Sequence, residues 1–184
     1  MFTIVFFAII VILAIMIISF YNKLVRLKNM AQEGWSGIDV QLKKRYDLIP
    51  NLVDTVKGYA KHEKEIFENV AATRSMGINA STVKQQEQAE NMITQALGKL
   101  FAVAENYPDL KANQNFMELQ RELSKVENDI QMSRRYYNGT VRENNITVES
   151  FPSNLVANSF SFRKFDFFEL ENEIERTTPK IDFN

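Results

Sequence analysis

Cysteine is absent from the 184 residues. That excludes disulfides, thiolate metal sites and cysteine nucleophiles. A single histidine, His62, removes most transition-metal ligand sets. Charge is nearly balanced at −1, so the chain as a whole exerts no strong pull on nucleic acid. Breakers are scarce too, with six Gly and four Pro, a composition that favours long helices. Chemical motifs are also missing. There is no Walker loop and no GxGxxG, and His62-Glu63-Lys64-Glu65-Ile66 lacks the second His of a zinc-protease HExxH. No pair of acids sits in an apolar sequence context that would raise a carboxyl pKa for acid–base work. Catalytic, metal and cofactor-binding residues are therefore not expected.

What is present begins with an apolar run. Met1–Asn22 contains no charged side chain, and its length matches the roughly 20 residues that a helix needs to cross a bilayer core. Only a helix can satisfy its own backbone there as a single segment. A cleaved signal peptide would need a basic start, a shorter apolar core and a small-residue cleavage site. The run has no Lys or Arg before it and ends in Ser19-Phe20-Tyr21, so a retained anchor is expected, with Tyr21 as an interfacial aromatic. A buried helix of a soluble protein is the other reading, disfavoured at this length and purity. Lys23, Arg26 and Lys28 follow at once. The positive-inside rule then predicts a single-pass protein of the cell (plasma) membrane, N-terminus outside and soluble part in the cytoplasm.

The anchor leads into Trp35–Glu63, the stretch around which the rest is organised. Leu24, Leu27, Ala31, Trp35, Ile38, Leu42, Tyr46 and Ile49 recur every three or four residues, one face of a helix. Gly34 and Gly37 flank the lone Trp35, which predicts close packing of another helix over both glycines, or else a binding groove at the indole. Pro50 interrupts the pattern. It predicts either a kink or a restart, with Asp47 as N-cap and Pro50 in the first turn. Lys43-Lys44-Arg45 reads as a solvated basic face, with contact to anionic headgroups the alternative.

Downstream, a break is predicted near Lys61-His62. A second helix follows to Gly77 as its C′ residue. Thr82 and Gln85 form a capping box that opens a third, which ends at Tyr107-Pro108-Asp109. Asp109 or Asn113 caps a fourth, whose stripe Phe116, Leu119, Leu123, Val126, Ile130, Tyr137 and Val141 runs to about Glu143. The expected fold class is all-α: an N-terminal transmembrane helix (1–22) leading into an antiparallel four-helix bundle with long helices (23–149). A short helical or irregular aromatic-rich C-terminal segment (150–184) completes it. In that segment Pro152–Ser159 suits a short helix, and Phe160-Ser161-Phe162 alternates like a strand. Phe151, Phe160, Phe162, Phe165, Phe167, Phe168 and Phe183 are expected to dock on the bundle, with lipid or partner contact as the functional alternative. Glu169–Asn184 reads as a frayed tail.

Three stretches carry a family resemblance. They are GWSGIDVQLKKRYDLIPNLVDTVKGYAKHE at 34–63, LFAVAENYPDLKANQNFMELQRELSKVEN at 100–128 and RRYYNGTVRENN at 134–145, with SFPSNLVANSF at 150–160 as a closing segment. In these the chain resembles the LemA family of bacterial membrane proteins, over essentially its whole length. The resemblance implies an N-terminal transmembrane helix and an α-helical domain, and supplies no enzyme activity, cofactor or catalytic residue.

The function expected is a membrane-anchored, non-catalytic interaction or scaffold protein. Its partners are the lipid bilayer and either further copies of itself, as a homo-oligomer, or another membrane protein. An accessory subunit of a membrane signalling or proteolytic complex is the alternative. A hydrolase with an unrecognised carboxylate site is a remote one, since it needs a concave pocket with convergent acids. Trp35, Asp47, Asn51 and Lys57 are the candidate interaction surface, because an interior proline beside three polar residues is more than packing requires.

Overall fold

The computed structural model describes residues 1–169, and these are helical with no strand among them. In chain order the helices are α1 (Phe2–Lys57), α2 (Lys64–Ile78), α3 (Val83–Ala104), α4 (Pro108–Lys111), α5 (Gln114–Glu149) and α6 (Ser153–Ser159). The expected tail, apart from Glu169, and Phe183 lie outside the described residues. The all-helical class and the long apolar N-terminal helix are as the sequence predicts.

α1 is 56 residues long. Its start is apolar and long enough to cross a membrane, and none of that window is buried by protein. That fits a membrane location. The described chain divides into two compact units. The first comprises residues 1–45 with 123–167, and the second residues 46–122 with Phe168 and Glu169.

In the first unit, Leu24, Leu27, Ala31, Ile38 and Leu42 of α1 are buried, as are Leu123, Val126, Ile130, Tyr137 and Val141 of α5. The helical stripes read from the sequence are therefore core faces. The two helices approach closely at Gly34, where an added Cβ would meet the Tyr137 Cα at 3.1 Å. Packing over Gly34 is thus as expected. Gly37 differs, since nothing lies within 4 Å of a Cβ there. Arg45 departs from its expected solvated face. It is buried, with its guanidinium 3.3 Å from Glu127, whereas Lys43 and Lys44 are exposed. The basic triplet spans more than one helix face, so its last member turns inward.

α6 packs Val156 and Ala157 on Leu24, with Phe20, Val148 and Phe162 around them. Beyond α6 the alternation of Phe160-Ser161-Phe162 forms no strand, as expected for a stretch with no strand to pair with, and the segment is irregular. Ser161 takes φ 58°, a turn geometry, and residues 163–168 have no regular secondary structure. α5 continues to Glu149, beyond the expected end near Glu143; Pro152 then disfavours continuation.

In the second unit, α1 passes through Pro50 without a break. The expected restart does not occur, and Asp47 lies inside the helix rather than at its N-cap. The reason is a substitute partner. Proline at 50 leaves the Tyr46 carbonyl without its helical donor, and Arg74 Nε of α2 donates to that oxygen at 2.7 Å. α1 ends at Lys57, and Lys64 opens α2, close to the expected break. α2 runs through Gly77 to Ile78, so Gly77 is not a C′ residue. α3 is capped by Thr82 Oγ1, which accepts from the Gln85 amide at 3.2 Å. The reciprocal bond comes from the Ser81 amide, donating to Gln85 Oε1 at 3.0 Å, one residue earlier than in a standard box. α4 is one turn the sequence did not announce. Asn113 then caps α5, its Oδ1 accepting from the Phe116 amide at 3.1 Å.

Candidate functional site

The four expected surface residues fall in both units. Trp35, in the first, is half-buried and tilted against the Tyr137 ring at 5.5 Å. It is packed, and serves the approach of α1 to α5 at Gly34. Asp47, Asn51 and Lys57, in the second, are exposed.

Asp47, Asn51 and Asp54 follow at helical spacing and share one face of α1. Lys57 Nζ lies 3.8 Å from Asp54 and 5.6 Å from the centre of the Phe67 ring. The Asn51 carbonyl accepts from Thr55 Oγ1 at 2.8 Å. Lys57 also lines a groove of about 490 Å³ with Lys61, Lys64, Phe67 and Glu68. Lys64 is 3.5 Å from Glu68. The groove therefore presents cations beside an aromatic floor, next to the Asp47–Asn51–Asp54 stripe. Such a face can pair with a partner carrying both signs of charge, each exposed pair adding under about 1 kcal/mol.

Sequence reasoning missed a polar centre inside the second unit. The Tyr46 hydroxyl donates to Glu90 Oε1 and accepts from Gln86 Nε2 at 2.6 Å. Gln86 Nε2 also lies 3.1 Å from Glu90 Oε1. All three residues are buried. Gly77 makes room for them, because a Cβ there would come within 2.5 Å of the Tyr46 hydroxyl. A signal existed: Gln86 and Glu90 lie four apart on the apolar face of α3, with Ala89 and Ile93. Buried polar groups at such spacing satisfy one another. The geometry is that of a structural lock joining α1, α2 and α3.

A second missed set lies on α5. Asn145 Nδ2 donates to the Phe165 carbonyl and Oδ1 accepts from the Phe165 amide, both at 2.9 Å. Asn144 Nδ2 donates to the Arg163 carbonyl at 3.1 Å. The Tyr137 hydroxyl donates to the Asp166 carbonyl at 2.8 Å. Burial, reinforced by the Asp166 charge, pushes the Tyr137 hydroxyl up to about 12. These side chains strap an irregular segment to α5 by its main chain, which needs no particular side chains on the segment. Among the described residues, no three His, Asp or Glu are grouped to hold a metal ion.

The docking expected for the phenylalanines is only partly realised. Phe168 is buried, and Phe162 and Phe165 are half-buried, whereas Phe151 and Phe160 are 79% and 54% exposed. Phe167 is exposed as well; the strap grips the main chain of residues 163–166 and does not reach Phe151 or Phe160.

Comparison with known proteins places these features in a family. The chain is 29% identical to the protein LemA of Metamycoplasma hominis over 156 residues, 84% of this chain and 71% of that one. It is 25% identical to the magnetosome proteins MamQ 1 and MamQ 2 of Paramagnetospirillum magneticum over 175 residues, 81% of this chain. It spans 64% of the length of those two, under two thirds. None of these names denotes an enzyme. The LemA family model matches residues 34–183, a range that takes in the Arg74–Tyr46 bond, the Tyr46 centre and the α5 strap, and the chain belongs to the LemA family.

Proposed function

We propose that the chain is a single-pass, membrane-anchored helical scaffold that works by binding and has no catalysis of its own. The observation that carries this reading is the continuity of α1. One helix holds both the lipid-length apolar run and the exposed Asp47–Asn51–Lys57 face. A partner held on that face is tied to the bilayer through an element that does not bend at a loop. The anchor (1–22) stays attached, the helical part (23–149) lies in the cytoplasm, and the 150–184 segment completes it. The flanking Lys23, Arg26 and Lys28 support that orientation.

The partner is either a further copy of the chain or a second membrane protein, and one experiment separates them. The full chain is purified in mild detergent, its mass is measured, and co-purifying proteins are quantified. The parent is expected as a homo-oligomer or as a stoichiometric complex. The D47A/N51A/K57A variant should keep its helical circular dichroism and shift toward the monomer mass. Assembly of that variant like the parent would remove this face from the function.

A further inference from the structure

The last turns of the anchor are not bare. Tyr21 stacks edge-on against Phe160 at 4.9 Å and Phe162 at 5.7 Å, and α6 is seated on Phe20 and Leu24. The strap on α5 holds the chain that follows. Yet Phe151, Leu155 and Phe160 are 79%, 58% and 54% exposed. Three large apolar side chains left exposed on and beside α6, where it is seated on the last turns of the anchor, are the kind of apolar exposure that marks a lipid or partner contact.

Beside them is a cavity of about 560 Å³, within the roughly 300–1,000 Å³ of small-ligand sites. Tyr21, Phe160 and Phe162 line one part, and Lys28, Arg163 and Lys164 another. Among the described residues, no Asp or Glu lines it. Lys164 is 2.7 Å from Glu149, so the lining still carries an excess of cations. Depth follows from helix geometry. Lys28 is seven residues past Tyr21, or about 10 Å along α1. The headgroup layer reaches roughly 5–8 Å beyond the hydrocarbon core. With Tyr21 at the core boundary, the Lys28 backbone stands a few ångströms beyond the headgroup layer, within reach of a lysine side chain and about one Debye length of anionic lipid charge.

We propose that this cavity holds the headgroup of an anionic phospholipid, with Phe151, Leu155 and Phe160 dipping among the acyl chains around the anchor. Charge selects the occupant: a cationic lining attracts a phosphodiester, and apolar side chains beside it suit the attached tails. The segment from Phe151 to Phe160 is then an interfacial element, seated on α1 through Val156 and Ala157 while Phe151, Leu155 and Phe160 face lipid. This rests on the membrane placement of α1.

The absence of cysteine makes the test clean. The full chain is reconstituted in phosphatidylcholine vesicles, with or without phosphatidylglycerol, and carries a nitroxide at Ile9→Cys or Leu155→Cys. Both labels should collide with oxygen more than with a water-soluble nickel chelate. Spin-labelled phosphatidylglycerol should associate several-fold more strongly than spin-labelled phosphatidylcholine. The preference should fall toward equality in K28Q/R163Q/K164Q and should survive added inorganic phosphate. If the label at 155 is in water while that at 9 is embedded, the interfacial element is refuted and the anchor stands. If the label at 9 is also in water, the anchor itself is refuted. An unchanged preference in the triple variant refutes the headgroup site. Loss of the preference on adding phosphate refutes lipid as the specific occupant in favour of any small anion.

Discussion

Tyr46 ties three helices of the second unit together. Its carbonyl receives Arg74, and its hydroxyl joins Gln86 and Glu90 above Gly77. Pro50 was visible in the sequence as a disturbance, but its consequence was not. The freed carbonyl becomes an acceptor for α2, and nothing in the spacing of Arg74, 28 residues away from Tyr46, announces that. A double-mutant cycle tests the link. R74M should cost about 1–3 kcal/mol by stranding the Tyr46 carbonyl. In a P50A background the alanine supplies the missing amide, so the same change should cost at least about 1 kcal/mol less. Additive costs in denaturant titrations would break the link. Two glycines give a sharper contrast. Gly77→Ala drives a methyl into a hydroxyl pinned by two partners and should cost about 1–3 kcal/mol. Gly37→Ala meets open space inside a helix and should stabilise by up to about 1 kcal/mol. Equal effects on the thermal midpoint would contradict the placement of Tyr46.

At the scale of elements, periodicity made most of the fold legible. The stripes on α1, α3 and α5 and the Thr82 and Asn113 caps could be read directly, because burial and capping leave local patterns. The α5 strap could not, since Asn144, Asn145 and Tyr137 grip main-chain groups some 19, 20 and 29 residues on. Arg45 was misread for a related reason, as its partner Glu127 lies far along the chain. The candidate site was legible only as exposure. Asp47, Asn51 and Lys57 are exposed as read, while the groove at Lys57 arises from α2 and from the turn at Lys61. The strap predicts a pH dependence. The Tyr137 hydroxyl titrates near 10 when unfolded and is raised to about 12 in the fold. A raised value means that the fold keeps the proton, so this contribution is complete below pH 10 and is lost as pH rises toward 12. The stability advantage of the parent over Tyr137→Phe should therefore shrink across that interval, measured on the full chain in detergent. A constant difference would mean that the hydroxyl is not held in a dry, bonded site.

For the whole molecule, the proposed placement has one uninterrupted helix tie a helical domain to a bilayer, with cations and aromatics gathered where that helix would leave the lipid. Membrane placement was readable because a bilayer imposes a length and a charge asymmetry that sequence shows directly. Partner choice was not, because exposed charges at helical spacing look alike whether they bind or only dissolve. Sidedness decides which compartment's partners can reach the Asp47–Asn51–Lys57 face, and protease accessibility tests it most directly. Protease added to intact cells should leave residues 23–184 whole, and the same protease should digest them in inverted membrane vesicles, with Met1 still joined to the chain. Digestion in intact cells, or a mature N-terminus near Tyr21, would contradict the account.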